Sequence, residues 1–179
     1  MWSKTRQILK SRLADSLKGR VDYHYDVYRT NQCRCTKQNW RWRSSEMHVL
    51  SIIVDGDAWF CTNPKFYHLQ YQKGNSKTEE EIIRETGFVG IVWGHDTPWY
   101  IHQYLNVLSA DESLTHDNYF IRLLALLDNR IGKRCLRPLL DNIDNEPEWF
   151  RKWIRLRCEA EGLRGKLVQG QAGQSGEGM

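Results

Sequence analysis

The stretch "HVLSIIVDGDAWFCT", residues 48–62, decides the fold. Two β-rich runs flank Asp55-Gly56, a pair that tolerates the positive φ a tight type I′ turn demands at both central positions. Asn63-Pro64 ends the second run, since proline has no N–H to donate to a sheet ladder. The stretch therefore predicts an antiparallel hairpin. Upstream, "VDYHYDVY" at 21–28 alternates with a period of two. Val21, Tyr23, Tyr25 and Val27 share one side, and Asp22, His24 and Asp26 share the other, the pattern of a half-solvated strand. "WRWR" at 40–43 alternates again, and "YHLQYQ" at 67–72 can add an edge strand. Before these strands, residues 3–18 read as an amphipathic helix. Ser3 is its N-cap, Leu9, Leu13 and Leu17 recur at i+4, Gly19 closes it, and Trp2 is placed to staple onto its first turn. The first ~75 residues thus predict a helix followed by an antiparallel meander that is wet on one face.

The rest of the chain has helical periodicity. Thr78 with Glu81, and Ser109 with Glu112, have capping-box spacing. "FVGIVWG" at 88–94 is a short apolar connector or buried strand, after which Asp96-Thr97-Pro98 opens a helix reaching about Leu108. "DNYFIRLLALLDNRIG", from Asp117, is apolar around most of its circumference and predicts a buried central helix. "KRCLRPLL" carries Pro138, which predicts a break or kink. "NEPEWFRKWIRLRCEAEG" predicts a helix from an Asn cap to Gly162, with Trp149, Trp153 and Leu156 as its stripe. Residues 165–179 are rich in Gly, Gln and Ser and predict a flexible tail. The expected class is α+β: an N-terminal helix on a three- to four-stranded antiparallel β-meander, then a C-terminal group of four or five helices. One compact domain over 1–164 is expected, with the helix and sheet in 1–77 and the helical part in 78–164.

Composition narrows the chemistry. At 179 residues, with 40% hydrophobic and 12% aromatic residues, the chain can bury a core without staples. No apolar run is long enough for a membrane helix, and the amino terminus lacks the apolar core of a secretory signal. Five scattered Cys, an odd number, suggest reduced thiols and a cytoplasmic setting. Charge is uneven: 14 Lys and Arg face 6 Asp and Glu in residues 1–78, against 12 and 16 in residues 79–179. That asymmetry fits either a surface for an acidic partner or two halves with complementary faces.

The blocks "MWSKTRQILKSRLADSLKGRVDYHYDVYR", "IIVDGD", "YLNVLSADESLTHDNYFIRLLALLDNRIGKRCL" and "RLRCEAEGL" keep their order over more than half of the chain. In them the chain resembles a family of small, uncharacterised bacterial cytosolic proteins. Members of that family look like W-S-K near the start, S-L-K-G-R-V-x-Y, a V-D-G hairpin, then I-R-x-L-A-x-L-D-x-R-x-G-K-R. The resemblance implies one compact α+β fold and no transferable catalytic residue.

The candidate chemistries are few. Side chains two apart on a strand are about 7 Å apart, so Asp22, His24 and Asp26 cannot close around one ion. Cys33-x-Cys35 is half of a zinc site without a second half, although Arg34 beside it favours a thiolate. His95-Asp96 can orient an imidazole, but Asp96 is better used as a helix cap. No nucleophile elbow, phosphate loop or dinucleotide fingerprint is present. No cofactor and no metal are expected. "NRIGKR" at 129–134 reads as basic residues complementing a helix C-terminus. The one candidate interaction surface is Trp40, Arg41, Trp42 and Arg43. Extended, it presents two Trp on one side and two Arg on the other, either to stack on bases or to pack into the sheet. The leading expectation is a non-catalytic protein-binding module, monomeric or a small oligomer. Nucleic-acid binding through the basic half is the alternative, and an enzyme is third.

Overall fold

The computed structural model describes residues 2–29, 46–62, 94 and 96–163. The structure is α+β: an N-terminal helix, a three-stranded antiparallel sheet, then several helices. Two compact units meet in the chain at Ile131/Gly132. The first contains α1 (Trp2–Arg12), β1 (Val21–Arg29), β2 (Glu46–Val54), β3 (Asp57–Cys61), α2 (Thr97–His102), α3 (Ala110–Leu114) and α4 (Tyr119–Leu126). The second contains α5 (Lys133–Asp141) and α6 (Glu148–Ala160).

The hairpin forms as its residues require. Asp55 and Gly56 have φ of 52° and 96°, both left-handed, which gives a two-residue turn matched to the twist of its strands. Arg20 fixes the tip. Its carbonyl accepts the Asp55 N–H at 2.8 Å, and its guanidinium grips the Asp55 carboxylate at 2.6 Å. β2 sits between β1 and β3, with an unbroken register from Val21↔Val54 to Arg29↔Glu46. Beyond the turn, Ile53 faces Ala58 while Ile52 faces Phe60, so Trp59 is the extra residue of a bulge.

Pleat alternation then fills the core. Val21 and Tyr23 of β1, and Leu50, Ile52 and Val54 of β2, are almost wholly buried, and Phe60 stacks on Phe120 of α4 at 5.6 Å. The alternation holds farther along β1 than the core does. Val27, on the inner row by parity, is 43% exposed. α4 buries Phe120, Ile121, Leu123, Leu124, Ala125 and Leu126, the near-complete circumference its sequence predicts. Its cap is Asn118, whose Oδ1 accepts from the Phe120 and Ile121 amides, rather than Asp117.

Three helix boundaries differ from expectation for backbone reasons. The first helix starts at Trp2, leaving Ser3 inside it, and stops at Arg12. There Leu13 leaves the helix to form an antiparallel bridge with Asp128: Ala14 donates to the Leu127 carbonyl at 2.9 Å and Asn129 donates to the Arg12 carbonyl at 2.7 Å. Leu13 and Leu17 remain buried, so the apolar spacing is kept while the helix is not. Trp2 packs on Tyr25 of β1 at 5.1 Å instead of stapling its own helix. Pro138 lies inside α5, and Pro147, not Asn145, occupies the N-cap position of α6. Ser109 and Glu112 form the reciprocal capping box their spacing predicts. The Thr78–Glu81 box, the strand at 67–72 and the tail at 165–179 lie outside the described residues, as does 88–94 apart from Gly94.

Gly94 is required by contact rather than by φ. A Cβ built there would fall 1.7 Å from the His48 carbonyl oxygen of β2. Replacing Gly94 with Ala is expected to cost on the order of 3 kcal/mol, since two backbones must separate to admit one methyl. Denaturant unfolding checks this, and a midpoint matching the wild type would show that the approach is not needed.

Candidate functional site

The acidic strand row resolves into an anchor and two exposed side chains. Arg6 of α1 holds Asp22 side-on, with Nε to Oδ1 at 3.0 Å and Nη2 to Oδ2 at 2.5 Å, and Lys10 stands 3.4 Å away. Burial opposes ionisation of Asp22, but the Arg6 hydrogen bonds, the Tyr23 amide and the Lys10 charge outweigh it and lower the pKa to about 2. His24 and Asp26 are exposed. The solvated-face pattern therefore holds at His24 and Asp26, whereas Asp22 is held in place because Arg6 of α1 reaches it. Among the described residues, no group of three His, Cys, Asp or Glu is arranged to hold a metal.

Of the six Lys and Arg between residues 2 and 20, five are engaged locally. Lys18 pairs with Asp15, Arg20 with Asp55, and Arg6 and Lys10 with Asp22. Arg12 donates to the Leu105 carbonyl at 2.9 Å and the Tyr104 carbonyl at 3.4 Å.

A polar cluster missed by sequence reasoning lies within the first unit. The Asp128 carboxylate is fully buried. It accepts from the Tyr104 hydroxyl at 2.5 Å, from the Arg130 guanidinium at 2.7 Å, and from the Arg130 amide at 2.8 Å. Burial alone would raise its pKa; the Arg130 and Tyr104 hydrogen bonds outweigh it and hold the carboxyl below its usual range. Burial, then the hydrogen bond to Asp128, pushes the Tyr104 phenol well up, and burial does the same at Tyr23. The two tyrosines keep their protons and Asp128 stays ionised, so the set suits structure better than proton transfer. One signal was legible: a carboxylate closing the apolar run "LLALLDNR" must find donors once buried. "NRIGKR" does not close a helix as expected. α4 ends at Leu126, Arg130 serves Asp128, and Lys133 and Arg134 open α5.

Cys61, Cys135 and Cys158 are free thiols, and burial pushes Cys158 up to about 11. Cys33, Cys35, His95 and the surface Trp40, Arg41, Trp42 and Arg43 lie outside the described residues.

The remaining feature is an exposed apolar face. α2 runs directly into a π turn, Gln103–Val107, in which Leu108 donates to the Gln103 carbonyl five residues back. In a pure α-helix Trp99 and Val107 would be about 80° apart; the wider turn rotates less per residue and brings them onto one line. Both are 58% exposed, the highest values among the large apolar side chains of the described residues.

The fold and these surfaces define a small α+β protein with an exposed apolar pair, Trp99 and Val107, on α2 and its π turn. The chain belongs to the SF0329 protein family, whose model matches residues 1–158. No curated protein and no solved structure matches the chain. No helix among the described residues is long and apolar enough to cross a membrane.

The Asp22 anchor gives a graded prediction. Asp22→Asn is expected to destabilise on the order of 1 kcal/mol, discounted because roughly a third of the pair faces solvent, while Asp26→Asn shifts stability by less than about 0.5 kcal/mol. Because the folded pKa lies below the unfolded value near 4, this stabilisation is present above pH 4 and lost as pH falls through about 2. Urea unfolding of both variants at neutral and acid pH checks the order. Equal losses at the two sites would contradict the anchor.

Proposed function

We propose that the protein is a non-catalytic protein-binding module that docks its partner on the α2 and π-turn face. The observation that carries this reading is that Trp99 and Val107 are both more than half exposed, on a segment whose π turn brings their positions toward one line. Large aromatics left in water are costly, and Trp is the side chain that most often anchors interfaces. The surroundings specify the partner. Residues 94–121 contain Asp96, Asp111, Glu112 and Asp117 and no Lys or Arg. The complementary surface is therefore an apolar anchor flanked by Lys and Arg.

Nucleic acid is the alternative reading, supported by Lys4, Arg6, Lys10 and Arg12 on a helix without acidic residues. The local engagement of three of these four cations weighs against an extended polyanion, which gains affinity only from cations free to neutralise phosphates.

The test uses a photo-crosslinking residue at position 99 and, as a control on an exposed turn, at position 18. A protein joined at 99 but not at 18 is expected. In purified form it should bind roughly tenfold more weakly to the Trp99→Ser, Val107→Ser variant, with unchanged melting temperature and with affinity that falls as salt rises. Equal crosslinking at the two positions, or an unaffected affinity, overturns the reading.

A further inference from the structure

We infer that the outer face of α1 is a binding site for a small phosphorylated ligand that carries a planar ring. Trp2, Ser3, Arg6, Gln7 and Lys10 follow the spacing i, i+1, i+4, i+5 and i+8, which puts them on one face of the helix. They line an open cleft of about 470 Å³. Each of the five side chains carries a hydrogen-bond donor, two are cationic and none is acidic.

The donors exceed what the protein consumes. Asp22 takes the Nε and Nη2 edge of Arg6, leaving Nη1, and approaches Lys10 at only 3.4 Å. Among the described residues, the Ser3 hydroxyl, the Gln7 amide and the Trp2 indole N–H meet no protein acceptor. Asp22 also does positive work for such a site. It holds Arg6 rigid, so a second oxyanion meets a guanidinium whose side-chain entropy is already lost. A guanidinium, an ammonium, a hydroxyl and an amide within two turns suit the several acceptor oxygens of a phosphate.

Trp2 gives the ring preference. Tyr25 packs against it at 5.1 Å, and the Tyr25 hydroxyl is itself fixed by His48 Nδ1 at 2.7 Å, so the indole is supported from beneath. A supported indole offers a stacking surface to a base or another flat ring. Two partly neutralised cations suffice for one phosphate and not for a long strand. This site lies on α1 and is independent of the proposed docking face on α2.

The experiment is a titration of the full isotope-labelled chain, read by amide and indole N–H shifts, with AMP, adenosine, inorganic phosphate and a single-stranded oligonucleotide as separate probes. AMP is expected to shift the Trp2 indole and the Arg6 and Lys10 amides saturably, binding roughly tenfold more tightly than adenosine or phosphate alone. Gln7→Glu, a near-isosteric change on an exposed residue, puts a carboxylate in the cleft and should weaken AMP roughly tenfold with unchanged melting temperature; Lys10→Gln should act in the same direction. Absence of saturable shifts at about 10 mM AMP, adenosine binding as well as AMP, or undiminished binding by Gln7→Glu each overturns the proposal. So does an oligonucleotide that binds when AMP does not, which would place an extended backbone there instead.

Discussion

A carboxylate with no exposed surface, on Asp128, sets the terms for the first unit of this protein. An ionised carboxyl removed from water is costly unless charge and hydrogen bonds replace its hydration. Here Arg130 supplies a two-pronged guanidinium and a backbone amide from two residues away, and Tyr104 supplies a hydroxyl from the π turn. The backbone of Asp128 meanwhile bridges to Leu13. One residue therefore joins the end of α1, the end of α4 and the π turn.

Other irregularities follow from that junction. α1 cannot continue past Arg12, because the backbone there is needed for the bridge. Arg12 is in turn positioned to donate to the Tyr104 and Leu105 carbonyls, near the end of a helical segment whose last carbonyls have no helical partner. The guanidiniums of Arg12 and Arg130 stand 5.4 and 6.0 Å from the Tyr104 ring, which adds cation–π attraction to the same junction. A π turn at this place has a structural consequence on the opposite side of the helix: it aligns Val107 with Trp99. The buried network and the exposed face are thus two sides of one backbone distortion.

Much of the fold was legible in the sequence because it rests on local rules. The Asp55-Gly56 turn, the alternation of 21–25 and 50–54, the Ser109–Glu112 box and the apolar girth of 120–126 each need only near neighbours to be satisfied. What sequence reasoning missed depends on residues far apart in the chain. Arg6 reaches Asp22, Arg12 reaches Leu105, and Tyr104 reaches Asp128, across separations of 16, 93 and 24 residues. No periodicity encodes such pairings. The surface chosen from the sequence, Trp40 to Arg43, rested on an alternation of Trp and Arg; the exposed Trp99 was hidden inside a helix whose periodicity is reset by the π turn.

Asp128 organises the first unit through its charge, not merely through its shape. Asp128→Asn keeps the shape and removes the charge, so the direct measurement is its unfolding free energy at neutral pH beside that of the wild type. The Arg130 side chain is 39% exposed and its guanidinium stays solvated, so the expected loss comes from weakened charge-assisted hydrogen bonds and a buried amide left facing donors, about 2 kcal/mol. A loss below about 0.5 kcal/mol, the range of an ordinary surface change, would contradict it.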